Sequence, residues 1–285
     1  MLGSVADADD ALQEALLGAW RGYAGFEGRS SLRAWLFRIA TNACFTLLAQ
    51  RPRRLLATEY RTAAAPERPL EAFVEEPLWL EPYPDDPEAH FEARESVELA
   101  FVAALQHLPA SQRATLILRE VVGLTAAEVA AALDTTVPSV DSTLQRARKA
   151  VQERVPKLSQ QATLRELGEA AQRELVARFV AAWRNQDATA LQALLAQDAK
   201  FSMPPIPNWF DGRENVVRFF RERVFATPWR LEPLRASGQL AFACYQGPEF
   251  RLGALNVLTL RGGTIAETTG FLDPTLHRRF LLPER

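Results

Sequence analysis

"LTAAEVAAALDTTVPSVDSTLQRARKAV", residues 124–151, contains two short amphipathic patterns separated by a turn. Thr125 followed three residues later by Glu128 makes a capping box, which indicates the start of the first helix. The second helix is predicted to begin near Thr136. Two short helices joined in this way are typical of a helix-turn-helix, and they predict an all-α domain over residues 87–158.

The second of these helices has an apolar face and a polar face. The apolar face consists of Val137, Val140, Leu144, Ala147 and Val151. The polar side consists of Pro138, Ser139, Asp141, Ser142, Gln145, Arg146, Arg148 and Lys149. Short polar groups can meet base edges and cations can neutralise phosphates, so this face is typical of a DNA recognition helix. A helical hairpin without a DNA role has the same pattern, and that alternative stays open here.

Residues 7–61 also carry helical patterns. Apolar residues recur there at intervals of three or four: Leu12, Leu16, Leu17 and Trp20. After Gly22–Gly28, Ser30 or Ser31 can cap a second helix, which Pro52 ends. Its predicted buried stripe consists of Leu32, Trp35, Leu36, Ile39, Ala43 and Leu47. Its other side holds Arg33, Phe37, Arg38, Thr41, Asn42 and Phe45.

The charge of the chain is divided between two blocks. Residues 29–61 contain seven arginines and one acid, whereas residues 66–98 contain eleven acids and two arginines. Such blocks indicate surfaces with different partners, although solvated helix faces would give the same composition. Residues 62–86 are rich in Pro, Glu and Ala and predict an acidic linker with one apolar island at Trp79 and Leu80. Asp86-Pro87-Glu88 then predicts a helix start.

Composition excludes several classes of protein. The 285 residues suffice for two or three domains, and no apolar run reaches the ~20 residues that cross a bilayer. The start of the chain carries no export signal, and Cys44 and Cys244 are far apart, so we expect a cytoplasmic protein without disulfides. The three histidines, His90, His107 and His277, are scattered, and we expect neither a metal site nor a cofactor.

Residues 160–285 change character. A helical pattern with Leu175, Phe179, Val180 and Trp183 on one side is followed by short alternating runs. Gly262-Gly263 is predicted to join two of these runs as a β-hairpin. Helices followed by strands predict an α+β domain.

The helical parts resemble the extracytoplasmic-function (ECF) group of the sigma-70 family. The resemblance rests on "DADDALQEALLGAW" (7–20), "GRSSLRAWLFRIATNAC" (28–44) and "LPASQRATLILREVVGLTAAEVAAALDTTVPSVDSTLQRARKAV" (108–151). It implies that residues 1–61 grip the clamp of core RNA polymerase and open the −10 element. It implies that residues 87–158 read the −35 element near the polymerase flap. The family has a further helix before Asp7, so we expect a shortened first domain or a mis-assigned start.

The resemblance also assigns site residues. Asp10, Gln13 and Glu14 match clamp-binding positions. On the −10-facing side it places Arg38, Thr41, Asn42 and Phe45. Stacking aromatics beside cations suit single-stranded DNA, although Phe37 and Phe45 would also suit packing against a neighbouring helix. Asp141 departs from the family, whose members have Asn, Lys or Arg there.

The third part is similar to the SnoaL-like branch of the NTF2-like superfamily. The matching phrases are "FVAAWRNQDATALQALLAQDAKFSMPP" (179–205), "WFDGRENVVRFF" (209–220) and "ALNVLTLRGGTIAETTGFLDP" (254–274). The resemblance implies a cone with a curved antiparallel sheet and a pocket. Candidate pocket residues are Met203, Trp209, Phe219, Trp229, Tyr245, Asn256, Phe271 and Asp273. A packed interior and a site for a small apolar ligand both fit, and Asp273 or His277 would be the base in an enzyme.

These observations predict a three-module transcription initiation factor without catalytic residues, regulated by its own C-terminal domain. Its expected partners are core RNA polymerase and promoter DNA, with no membrane. The phrase Trp79-Leu80-Glu81-Pro82 occurs at similar positions in sigma factors fused to SnoaL-like domains, and we expect this island to dock on the C-terminal domain. One alternative is an NTF2-like ligand-binding protein or enzyme with a degenerate sigma-like half. Another is a helix-turn-helix repressor.

Overall fold

The computed structural model describes residues 1–28, 30–74, 79–85 and 98–285. These residues form two compact units. The first combines Met1–Leu55 with Leu99–Lys157, and the second combines Leu56–Glu98 with Leu158–Arg285. The predicted helix start at Asp86–Glu88 and His90 lie outside the described residues. We call residues 56–74 and 79–85 the strap, because they group with the C-terminal domain. The strap consists of the described part of the predicted linker and of residues 56–61, which were expected to belong to the first domain.

The first unit contains an N-terminal hairpin and a helix-turn-helix module. The hairpin consists of α1 (Val5–Gly22) and α2 (Leu32–Gln50), and α3 (Ala57–Tyr60) follows in the strap. The module consists of α4 (Leu99–Gln106), α5 (Ala110–Leu116), α6 (Ala126–Ala132) and α7 (Val137–Gln152). Side-chain caps begin four of these helices. Ser4 caps α1, Ser31 caps α2, Thr125 caps α6 and Thr136 caps α7.

The buried face of α2 differs from the predicted one. Leu32 and Leu36 are 46% and 40% exposed, whereas Ala34 and Thr41 are buried. Ala34 and Thr41 are seven residues apart and therefore share one helix face. The predicted stripe is therefore wrong for Leu32 and Leu36. Two other members of it, Trp35 and Ile39, do pack closely on α1, at Gly22 and Gly18.

The helix-turn-helix follows the sequence prediction. Glu128 Oε2 accepts from the Thr125 amide at 2.8 Å, which confirms the capping box at the start of α6. Four members of the apolar face of α7 are buried: Val140, Leu144, Ala147 and Val151. Val137 is the exception, with 40% exposure. The buried face packs on α5 and α6, which fixes the direction of the polar face.

The C-terminal domain places helices on one mixed sheet. The helices are α8 (Gln160–Arg184), α9 (Ala188–Gln192), α10 (Arg213–Glu222) and α11 (Pro274–Arg279). The strands are β1 (Leu195–Met203), β2 (Ile206–Asp211), β3 (Trp229–Ala236), β4 (Gln239–Gln246), β5 (Arg251–Arg261) and β6 (Thr264–Phe271). The order is β2-β1-β6-β5-β4-β3. Because β1 and β6 are parallel, the predicted antiparallel sheet is in fact mixed.

Two predicted features of this domain are confirmed. Arg261 pairs with Thr264 across a turn at Gly262-Gly263, and Gly262 has φ +58°. That φ value is costly for residues with a Cβ, which explains a glycine there. The apolar side of α8 packs on the sheet, with the Phe179 and Phe242 ring centroids 4.7 Å apart.

Candidate functional site

The N-terminal hairpin is held by a buried ion pair. Arg54 Nη2 lies 2.5 Å from Asp7 Oδ2, and both side chains are 4% exposed. Arg51 also pairs with Asp7. Arg53 reaches His107 Nδ1 at 2.8 Å. Three cations of the predicted basic block therefore have protein partners, which reduces the positive charge available to DNA at this end of α2.

The residues assigned to polymerase binding lie on one exposed side of α1. Asp10, Gln13 and Glu14 are all exposed. Asp10 Oδ2 is 3.2 Å from Arg51 Nη2, so part of its charge is already compensated. Apolar side chains of α1 are exposed as well: Leu12, Leu16, Leu17 and Trp20. The helix thus presents carboxylates beside an apolar surface.

Three of the four residues assigned to the −10 side are accessible to some degree. Arg38 and Asn42 are exposed, and Phe45 is half-buried. Thr41 is only 3% exposed, because it shares the packed face of α2 with Ala34. The Thr41 hydroxyl group is therefore not accessible in this conformation, and its assignment to the −10 side stays a prediction.

Phe37 packs against the helix-turn-helix module. It joins the apolar cluster formed by Leu118, Leu124, Val129, Ala130, Ala132 and Val140. Packing against a neighbouring element, which the sequence left open for Phe37 and Phe45, is therefore confirmed for Phe37. Two polar contacts accompany it. Ser31 Oγ donates to Glu128 Oε1 at 3.1 Å, and Arg33 donates to the Val122 carbonyl.

A cleft of about 370 Å³ lies beside this contact. Its wall includes Phe26, Trp35 and Arg38 from the hairpin, together with Glu128 from α6. The Phe26 and Trp35 ring centroids are 5.1 Å apart. The cleft therefore combines aromatic faces with one cation and one carboxylate beside α2. The contact between Ser31 and Glu128 could not be predicted from local sequence patterns, because the two residues are 97 positions apart in the chain.

The predicted recognition face of α7 is largely accessible. Six of its assigned residues are exposed: Pro138, Asp141, Ser142, Gln145, Arg146 and Lys149. Ser139 is half-buried. Arg148 pairs with Glu120 at 2.5 Å, while the Arg146 guanidinium reaches Thr143 Oγ1 at 3.2 Å. Gln145 and Lys149 are thus both exposed on the polar face of α7.

The strap is anchored by aromatic packing. Trp79 and Leu80 are 7% and 2% exposed, which confirms the predicted docking of this island on the C-terminal domain. Trp79 clusters with Ala57 of α3 and Trp209 of β2. Trp209 Nε1 donates to the Arg61 carbonyl at 2.8 Å. Trp209, predicted as a pocket residue, is therefore part of the strap contact.

Backbone hydrogen bonds extend the anchor at both ends of the strap. The Ala64 amide donates to the Trp209 carbonyl at 2.8 Å, and the Val74 amide donates to the Pro205 carbonyl at 3.1 Å. Near the β3–β4 turn, the Gly238 amide donates to Asp85 Oδ1 at 2.9 Å. Burial raises the pKa of Asp85, partly offset by this bond. The strap is thus attached to β2 and to the turn between β3 and β4, at opposite edges of the sheet.

The candidate pocket residues occupy different environments. Met203, Phe219 and Trp229 belong to the core beneath the helices, and Trp209 belongs to the strap contact. Three others are buried: Tyr245, Asn256 and Phe271. Asp273 Oδ1 accepts from the Thr275 amide at 2.8 Å and caps α11, so its side chain has a structural role. The candidate residues thus lie in several environments, which include the core beneath the helices, the strap contact and the cap of α11.

The described residues contain neither a candidate metal site nor a helix that could cross a membrane. No group of three or more His, Cys, Asp or Glu residues in the described ranges is arranged to hold a metal ion. None of the described helices is long and apolar enough to span a membrane.

Comparisons with known proteins agree with the order of these modules. The sigma-70 region 2 model matches residues 1–54, and the sigma-70 region 4 model matches residues 98–151. The SnoaL-like domain model matches residues 176–268. The ECF RNA polymerase sigma factor SigG of Mycobacterium tuberculosis is 42% identical over 298 residues, covering 100% of this chain and 79% of that protein. This chain belongs to the ECF RNA polymerase sigma factors.

A further relative belongs to the same family, and a solved structure shares the fold. The ECF sigma-E factor of Escherichia coli is 30% identical over 152 residues, covering 53% of this chain and 75% of that protein. The crystal structure of the M. tuberculosis ECF sigma factor SigJ covers 99% of this chain with a TM-score of 0.60 and 21% identity. The ECF sigma factor described here therefore shares its fold with SigJ along nearly the whole chain.

Membership of this family decides between the alternatives that the sequence left open. Sigma factors are non-enzymatic initiation factors that bind core RNA polymerase and promoter DNA. The enzyme and the repressor are set aside on that ground. In this ECF sigma factor, region 2 corresponds to the N-terminal hairpin and region 4 corresponds to the helix-turn-helix module.

Proposed function

We propose that this ECF sigma factor initiates transcription through three surfaces and that its C-terminal domain regulates it through the strap. The first surface is the exposed side of α1 with Asp10, Gln13 and Glu14, which binds the polymerase clamp. Carboxylates beside exposed leucines support this assignment, because they suit a partner with basic and apolar groups. The protein acts in the cytoplasm, where polymerase and promoter DNA are found.

The second and third surfaces bind DNA. Arg38, Asn42 and Phe45 hold the opened −10 strand through charge, hydrogen bonding and stacking. The polar face of α7 reads the −35 element, with Gln145 at base edges and Lys149 at a phosphate. The exposure of Gln145 and Lys149 above a buried apolar face supports this orientation of α7.

Charge substitutions on α1 test the polymerase surface. The full-length Glu14→Lys variant should lose most of its binding to core RNA polymerase. The matched control is Glu166→Lys, which makes the same charge change at an exposed position of α8 outside the proposed surface and should keep wild-type binding. Glu14 is preferable to Asp10 because Asp10 also pairs with Arg51. Retention of core enzyme by Glu14→Lys at the wild-type level in a pull-down would contradict the assignment.

The burial of Trp79 against the C-terminal domain carries the regulatory part of the proposal. Regions 2 and 4 are joined by residues 56–98, roughly 40 residues that could span up to ~140 Å when extended. With the strap docked through Asp85, only roughly a dozen residues remain before α4, which span at most ~45 Å. Docking therefore shortens the tether between the two DNA-binding regions.

Initiation requires regions 2 and 4 to reach two separate promoter elements on the polymerase. A short tether disfavours that separation, so we infer that release of the strap increases activity. Coupling between strap docking and promoter binding is expected at about 1–3 kcal/mol, the usual size of such effects.

Small-angle X-ray scattering of the full-length protein tests the tether directly. Trp79→Ala should increase the radius of gyration relative to wild type, because the strap loses the indole that packs against Trp209. Phe73→Ala is the matched control, since Phe73 belongs to the same strap but is 56% exposed. An unchanged radius of gyration in Trp79→Ala would contradict the tether mechanism while leaving the family assignment intact.

A further inference from the structure

One carboxylate joins the N-termini of two helices within the first unit. Glu128 lies in the first turn of α6, where its Oε2 accepts from the Thr125 amide at 2.8 Å and from Thr125 Oγ1 at 2.9 Å. Its other oxygen, Oε1, accepts from Ser31 Oγ at 3.1 Å. Ser31 is itself the N-cap of α2, accepting from the Ala34 amide at 3.2 Å. The same acid therefore caps a helix of region 4 and contacts the cap of a helix in region 2.

A second contact lies beside the first. Arg33, two residues after Ser31, donates to the carbonyl of Val122 in region 4. Its guanidinium carbon also lies 5.9 Å from the centroid of the Phe37 ring, and Phe37 packs on the core of the helix-turn-helix. The start of α2 is thus joined to region 4 by two polar contacts and one apolar contact.

Glu128 is charged in this arrangement. Hydrogen bonds from Thr125 and Ser31, together with the nearby charge of Arg33, hold the pKa of Glu128 below its usual value. The cleft next to it is also lined by Arg38, which is exposed and belongs to the proposed −10 surface. An anionic group of the protein therefore lies beside the cations that would bind an anionic DNA strand.

We propose that region 4 competes with single-stranded promoter DNA for region 2, and that the Glu128 carboxylate takes the place of DNA charge at the start of α2. This inference rests on the proposed assignment of α2 to the −10 strand. Region 4 would thus inhibit region 2 of the same chain. In the free protein, Ser31 contacts α6 and Arg33 contacts the Val122 carbonyl. DNA can occupy the cleft only after these contacts have broken.

Binding of a fluorescein-labelled single-stranded oligo(dT) to the full-length protein, followed by anisotropy, tests this proposal. Stacking and backbone contacts tolerate sequence, so this probe reports the α2 surface without a known promoter. Glu128→Gln removes the charge but keeps a residue that can complete the capping box. The matched control is Glu153→Gln, which makes the same change of net charge at an exposed position at the end of α7.

We expect Glu128→Gln to bind the oligonucleotide at least threefold more tightly than wild type, and Glu153→Gln to differ by less than 1.5-fold. Arg38→Ala should weaken binding in both the wild-type and Glu128→Gln backgrounds. If Glu128→Gln fails to fold, Glu128→Asp replaces it, because the shorter side chain keeps its charge but cannot reach Thr125 and Ser31 together. The direction expected for Glu128→Asp is the same.

Three outcomes separate the competing explanations. A gain confined to the Glu128 variant supports competition by region 4. If Glu128→Gln and Glu153→Gln change the affinity for the oligonucleotide equally, and Arg38→Ala weakens it, the proposed competition is overturned. The assignment of α2 to the −10 strand then stands. If Arg38→Ala binds the oligonucleotide as tightly as wild type, the assignment of α2 to the −10 strand is overturned, together with the inference that rests on it.

Discussion

Tyr60 and Trp79 pack edge to face, with ring centroids 5.3 Å apart and an interplanar angle of 71°. Both belong to the strap, and Trp79 shares an apolar cluster with Trp209 of the C-terminal domain. The indole of Trp209 in turn donates to the Arg61 carbonyl, next to Tyr60. Tyr60 of α3 thus contacts Trp79, and Trp79 contacts Trp209 of the edge strand β2. Trp79 therefore links the two ends of the strap to the C-terminal domain.

Amide hydrogen exchange should reveal the loss of this anchor in Trp79→Ala. The Ala64 and Val74 amides donate to carbonyls of the C-terminal domain, and removal of the indole leaves these hydrogen bonds with little apolar support. We expect both amides to exchange at least tenfold faster than in wild type, whereas amides of β4 keep their protection. In Phe73→Ala, exchange at Ala64 should stay at the wild-type rate. Full protection of both amides in Trp79→Ala would show that the indole does not anchor the strap.

The docking of Trp79 could be predicted from the sequence, but its site could not. A tryptophan and a leucine in an acidic, Pro-rich segment favour burial, and burial requires a partner. Nothing in the pattern distinguished Trp209 as that partner, because an aromatic residue on a strand suits a pocket as well as a contact with another segment.

Asp7→Asn should destabilise the N-terminal hairpin. The substitution removes the negative charge that lies 2.5 Å from the Arg54 guanidinium, in a pair whose two side chains are both 4% exposed. Breaking a buried ion pair in this way typically costs about 3–5 kcal/mol. Denaturant unfolding monitored by circular dichroism checks this, with Asp9→Asn as a control because Asp9 is exposed on the same helix. A decrease of less than about 1 kcal/mol in the free energy of unfolding of Asp7→Asn would mean that the ion pair contributes little to stability.

Gln145 and Lys149 should differ in how they affect DNA binding. Gln145→Ala is expected to change the preference at one or two −35 bases, with about 1–3 kcal/mol of discrimination lost if it makes a bidentate contact. Lys149→Ala should weaken binding to all of the DNA sequences by the same factor and should reduce the dependence of the affinity on salt concentration. Affinities for a set of −35 variants at two salt concentrations measure both effects. Identical behaviour of the two variants would contradict the division of the α7 face.

Local sequence signals predicted the helix-turn-helix well and α2 poorly. The capping box at Thr125 and the period of Val140, Leu144 and Ala147 are local features, and the structure has both. In α2, apolar residues occur on several sides, so periodicity identified only part of the packed surface. The burial of Ala34 and Thr41 and the contact of Phe37 with region 4 are tertiary features that the local pattern does not contain.

Run-off transcription with core RNA polymerase tests regulation by the strap most directly. Wild type, Trp79→Ala and Phe73→Ala are compared on one cognate promoter at matched, subsaturating concentrations of full-length protein. Release of the strap lengthens the tether between regions 2 and 4, so Trp79→Ala should raise the initial rate roughly 5- to 150-fold, which corresponds to a coupling of about 1–3 kcal/mol. Phe73→Ala should transcribe at the wild-type rate. A Trp79→Ala rate equal to or below that of wild type, with core binding intact, would contradict restraint by the C-terminal domain.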